Sequence, residues 1–116
     1  MSTAAVIDEA TFRQLEESAG KEFVAELART FLEEAPRMME QIRDALAKGD
    51  TERFRRAAHS LKSNSQTFGA TDLARRAREL ELSAAEKVAR GDAGALGSLA
   101  QEYDRAARAL RERIGA

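Results

Sequence analysis

The chain contains a single histidine, His59, in the run Ala58-His59-Ser60-Leu61-Lys62. A neutral imidazole is a nucleophile near physiological pH, and an exposed one flanked by cations can carry an anionic group. Helical spacing decides which way the ring points, because each residue turns the side chain by about 100°. With Phe54 at zero, Ala57, Ala58, Leu61, Ser65 and Phe68 fall within roughly 60° of it and form one apolar stripe. His59 falls at about 140°, beside Arg55, Lys62, Ser63 and Gln66. The sequence thus sets the imidazole on the wet face with an ammonium one turn further on. The like charges of Arg55, Arg56 and Lys62 disfavour imidazolium, so a neutral ring is expected at pH 7.

Such a pair can accept a phosphoryl group on the ring and hold its oxygens by charge-assisted hydrogen bonds from Lys62, with no metal in this chain. Gln66, about two turns along, can donate its amide N–H to a phosphoryl oxygen. Arg55 and Arg56, one turn before the histidine, are placed to steer a partner. Ser63 is small and leaves room for that partner to approach. Arg75, Arg76 and Arg78 read as a solvated face, pairing in part with Glu79 or Glu81. Met38 and Met39 are adjacent, so one of the two is expected to face outward.

His59-x-x-Lys62, followed by Phe68-Gly69-Ala70 and Leu73, resembles the signature of histidine phosphotransfer (HPt) domains. That family usually has glycine directly after the lysine, where this chain has Ser63. The resemblance extends over nearly the whole chain and implies a role. His59 would relay a phosphoryl group to and from the aspartate of response-regulator receiver domains, with Lys62 as the stabilising cation. Gly69 carries over as a turn or packing position alone. The resemblance also implies Mg²⁺ on the receiver and no bound cofactor here. No kinase or phosphatase chemistry of the chain's own is implied. A hybrid sensor histidine kinase is a further partner of that kind. The phosphotransfer module at the front of chemotaxis-type kinases is similar around His-Ser-x-Lys, but that version is phosphorylated by its own kinase domain, which these 116 residues do not include. A helical adaptor that binds a signalling partner without chemistry is the competing reading.

Composition narrows the alternatives. With no cysteine, disulfides, thiolate metal sites and cysteine nucleophiles are excluded. One histidine cannot build the usual metal clusters, and no glutamate lies at a zinc-motif spacing from it. No apolar run approaches the ~18 residues of a membrane span, and no leader pattern opens the chain. A cytoplasmic monomer is expected. The net charge of −1 hides an uneven distribution: Arg53 to Arg78 holds seven basic residues against Asp72 alone, so that segment carries +6 and the remainder −7. This basic patch predicts an acidic partner or an anionic group, whereas the negative total and the lack of aromatics beside the patch argue against nucleic acid.

The elements that position these residues are helices. Abundant Ala, Leu, Glu and Arg, with one proline, predict an all-α fold. Gly49-Asp50 and Gly91-Asp92 read as turns in which glycine closes one helix and aspartate caps the next. Gly69-Ala70-Thr71 is a third break and Ser18-Ala19-Gly20 a weaker fourth. A short helix from Asp8 contributes Phe12 and Leu15. A second, Lys21 to Lys48, presents Phe23, Leu27, Phe31, Met38, Ile42 and Leu46, with a kink at Glu33 to Ala35 ahead of Pro36. The third spans Thr51 to Phe68. The fourth spans Thr71 to Arg90 and places Leu73, Ala77, Leu80, Ala84 and Val88 on one side. The fifth begins near Ala95 and presents Leu96, Leu99, Tyr103, Ala106, Leu110 and Ile114. Tight turns between long helices predict an antiparallel up-down-up-down four-helix bundle with a short extra N-terminal helix, formed as one domain over residues 1–116. Residues 1–7 are expected to be a disordered lead-in.

Overall fold

The computed structural model describes residues 6–115, and all the regular structure among them is helical. Asp8 starts α1 (Glu9–Ala19) by accepting from the Thr11 amide at 3.1 Å, which satisfies one of the orphan donors of a helix start. Gly20 separates α1 from α2 (Lys21–Lys48). Gly49 then takes a left-handed conformation that closes α2, and Asp50 accepts from the Arg53 amide to open α3 (Thr51–Thr67). The Phe68-Gly69-Ala70 turn leads into α4 (Thr71–Leu82), followed by α5 (Ala84–Arg90) and α6 (Gly94–Ile114).

α3 packs between α2 and α4, and α6 lies against both α4 and α2. α1 packs on α2 and α3. A single core runs through this assembly, from Phe12 of α1 through Val24, Phe31 and Ile42, Phe54 and Leu61, and Leu73 and Leu80, to Leu99 and Leu110 of α6. Alanines fill the seams: Ala28, Ala35, Ala57, Ala58, Ala77, Ala84, Ala106 and Ala107 are all buried. Small side chains let the helix backbones approach closely, which brings side chains on neighbouring helices within reach of one another.

Several expectations are corrected. Phe23 is 54% exposed, and Val24 takes its place in the core. A spacing of four residues over-rotates by about 40°, so two such steps carry Phe23 roughly 80° away from Phe31, whereas Val24 lies only about 20° from it. The long fourth helix is divided at Ser83, whose hydroxyl donates to the Glu79 carbonyl at 2.7 Å; serine competing for backbone groups in this way bends or ends helices. Asp92 does not cap α6, which starts two residues later behind Ala93; Lys87 approaches its carboxylate at 3.4 Å instead. Of the lead-in, residues 1–5 lie outside the described residues, but Ile7 is buried in the core and Val6 packs against it. Met38 and Met39 are both half-buried against the core, and Asn64 Nδ2 approaches Met38 Sδ at 3.8 Å.

Pro36 sits inside α2, which runs through Glu33 to Ala35 as helix. Proline has no N–H for the carbonyl four residues back. That carbonyl belongs to Leu32, and the Tyr103 hydroxyl of α6 donates to it at 3.2 Å. Further along α6, Arg113 pairs with Glu9 and lies 4.7 Å from the centre of the Phe12 ring, fastening α6 to α1.

Candidate functional site

His59 projects from the middle of α3 with 56% of its side chain exposed, as the helical wheel predicts. Ser63 and Gln66 are exposed on the same face, one and two turns along. Gln66 also borders a groove with Thr11, Gly69, Arg75 and Arg78. Arg55 is held by Glu52 on its own helix, so its charge is already matched. Arg56 is exposed and has no acidic partner among the described residues. Arg75 pairs with Asp72 at 2.6 Å and Arg76 with Glu79 at 3.0 Å, as a solvated face would.

The residue that sequence reasoning missed is Glu81. It does not join the arginine face of α4; it crosses to α3, where its Oε2 lies 2.8 Å from His59 Nδ1 and its Oε1 lies 3.2 Å from Lys62 Nζ. The expectation of an imidazole surrounded by cations alone is therefore corrected. Lys62 is likewise less free than expected, with 19% of its side chain exposed, and Glu81 is 18% exposed. A signal for this placement exists in the sequence. Ala74, Ala77, Glu81 and Ala84 recur at intervals of three, four and three, and the three alanines are buried. A carboxylate on such a stripe faces the neighbouring helix.

Burial raises the pKa of the Glu81 carboxyl. The hydrogen bond from His59 and the Lys62 ammonium more than offset that, so its pKa lies below the ordinary carboxylate value and Glu81 is ionised at neutral pH. An ionised carboxylate only accepts, so the proton of the shared hydrogen bond belongs to His59 Nδ1. In the neutral ring the lone pair is then on Nε2. Glu81 Oε1 is buried and has no hydrogen-bond partner among the described residues: Lys62 stands close to it but out of line for a hydrogen bond. The arrangement presents a nucleophilic nitrogen to solvent, a cation one turn away, and a fixed negative charge beneath both. No group of three or more potential metal ligands occurs among the described residues, and none of their helices is long and apolar enough to cross a membrane.

Comparison with known proteins agrees with this geometry. A family model described as the Hpt domain matches residues 26–112. The crystal structure of histidine-containing phosphotransfer protein B from Pseudomonas aeruginosa PAO1 superposes with a TM-score of 0.82 at 25% sequence identity, covering 97% of this chain and 97% of that one. No curated protein sequence matches the chain.

Proposed function

The chain belongs to the Hpt domain family, whose members are phosphorelay intermediates, and on that premise we propose that His59 accepts and passes on a phosphoryl group exchanged with the aspartate of a response-regulator receiver domain. The observation that carries this reading is the free Nε2 of an exposed imidazole with Lys62 one turn along the same helix. Lys62 turns its ammonium to the incoming phosphoryl oxygens and offsets their charge. Arg56 and the groove at Gln66 contribute to the partner's footing, Ser63 leaves it clearance, and Arg55 adds to the positive field although Glu52 holds it.

The catalytic Mg²⁺ in this reading belongs to the receiver, and this chain supplies neither a metal site nor a cofactor. It acts as a monomer in the cytoplasm, on an up-down-up-down bundle whose short α1 covers one end. A receiver, free or attached to a hybrid sensor kinase, is the partner. The test is incubation with a panel of phosphorylated receivers and Mg²⁺. The expected product is one phosphate per chain, stable to base and labile to acid, located on His59. A wild-type chain that binds a receiver but never acquires such a label would be an adaptor instead.

A further inference from the structure

The face that carries His59 continues along the seam between α3 and α4 into a groove of about 280 Å³ at the Gly69 turn. Gln66 lies seven residues beyond His59, hence about 10 Å further along α3 and within about 20° of the same direction. Arg75 and Arg78 form the opposite wall from α4, and the buried Gly69 and Ala74 form the floor. The groove is rich in donors. Thr11 and Thr71 also line it, but their hydroxyls already give their protons to Asp8 and to the Gly69 carbonyl. No carboxylate lines it. Of the two aspartates nearby, Asp8 is taken by Thr11 and Asp72 by Arg75 at 2.6 Å. Arg78 is exposed and has no acidic partner among the described residues, although Arg75 and Arg76 on either side of it in the arginine cluster are both held. At the His59 end of the seam Glu81 supplies the negative charge; one turn earlier on α4, Arg78 meets none.

We propose that this groove takes an acidic side chain of the receiver, held by Arg78 and Gln66, and so selects among receivers that could each reach His59. This rests on the phosphotransfer reading and names the surface that its partner must bring. A transient complex that buries about 500 Å² on each side covers a disc of roughly 13 Å radius, so a receiver aspartate seated over His59 brings receiver surface over the groove as well. The volume lies below the roughly 300–1,000 Å³ of ligand sites, which suits one side chain rather than a free ligand. No aromatic residue lines it, so a nucleic-acid base has nothing to stack on. A carboxylate accepts two parallel hydrogen bonds from a guanidinium and keeps lone pairs for the amide of Gln66.

The experiment uses the full chain as wild type, as Arg78→Glu and, for the same change in net charge at an exposed arginine of α6, as Arg108→Glu. Each is titrated with the unphosphorylated receiver that binds the wild type most tightly, in Mg²⁺ at low and high salt, and each is assayed for acid-labile label from the same receiver phosphorylated. Arg78→Glu should bind about tenfold more weakly, the loss of one charge-assisted hydrogen bond, and Arg108→Glu within about twofold of the wild type. High salt should narrow that difference. A receiver with one surface carboxylate replaced by lysine should recover binding to Arg78→Glu and lose it to the wild type. Equal affinities for the two variants, both folded by circular dichroism, or the failure of every such lysine substitution to recover Arg78→Glu, overturn the proposal. So does an Arg78-dependent dimer in sedimentation of the chain alone, which would put a second copy in the groove. If Arg78→Glu weakens a receiver that never labels His59, the phosphotransfer reading fails and the docking groove stands. A label acquired by Arg78→Glu at wild-type affinity leaves that reading in place and removes the groove.

Discussion

At the scale of single residues, the site separates into groups that react and groups that leave room. His59 is exposed and contributes little to packing, so His59→Gln should abolish the acid-labile label while circular dichroism stays that of the wild type. Lys62→Ala should slow transfer without stopping it. A charge-assisted hydrogen bond is worth about 1.5–3 kcal/mol, roughly ten- to a hundredfold in rate if fully expressed in the transition state, and single-turnover transfer from a phosphorylated receiver measures it. Ser63 is exposed one turn beyond the histidine, so Ser63→Gly should leave transfer intact and Ser63→Tyr should block it by bulk. Both variants should keep the wild-type unfolding free energy in urea denaturation to within ~0.5 kcal/mol, as surface substitutions do. Transfer at the wild-type rate by the tyrosine variant would move the docking face elsewhere. The outward face of His59 was legible from spacing alone, because a helical wheel needs only local geometry, whereas Lys62 was singled out by the resemblance. The alanine stripe around Glu81 marks the face it lies on but not its partner, which lies 22 positions away on another helix, and a contact between helices is set by how they pack.

Among the elements, the turn between α3 and α4 carries a constraint that its glycine reveals. Gly69 has φ +78°, and a Cβ there would meet the Asp8 carbonyl oxygen at 3.0 Å and Thr11 Cβ at 3.1 Å. Its own carbonyl accepts from the Asp8 amide at 2.8 Å, so this turn is stapled to the start of α1. Gly49 has a similar φ of +71° and open space around it. Gly49→Ala should therefore cost only the left-handed backbone, about 1–2 kcal/mol, and Gly69→Ala should cost more, because α1 must also shift. Urea denaturation of the two variants gives the difference, and equal losses would mean that α1 yields without resistance. The sequence marked both turns but could not distinguish them, since the crowding at Gly69 comes from residues 58 and more positions earlier. The division at Ser83 escaped for a different reason. The apolar spacing of Leu73, Ala77, Leu80 and Ala84 continues across it unbroken, and only the hydroxyl's bond to Glu79 marks the step.

For the molecule as a whole, three carboxylates held below their ordinary range set its response to acid. Asp8 is held low by the Thr11 hydroxyl and amide at the start of α1. Asp44 is held low by Arg53 and Lys48 where α2 meets α3. Glu81, raised by burial but lowered further by His59 and Lys62, is held low where α4 meets α3. Each has a lower pKa folded than unfolded, so its contribution is present above the unfolded values of 3.8 for the aspartates and 4.5 for Glu81, and is lost as pH falls through the folded ones. The urea midpoint should hold steady near neutrality and fall below about pH 4.5, and Glu81→Gln should flatten part of that fall. A midpoint unchanged down to pH 3 would remove these contacts from the account of stability.

The seam between α2 and α6 has a practical consequence. Tyr103 is the only tyrosine, and the chain has no tryptophan, so its near-ultraviolet absorbance at 280 nm arises from one ring. That ring is buried beside Phe31, its hydroxyl holding the carbonyl that Pro36 leaves free, and burial raises its pKa above the ordinary 10.0. The phenolate band should therefore appear late in an alkaline titration, and its arrival would signal that α6 has parted from α2. The chain thus carries a built-in optical probe of that seam, readable without any added dye.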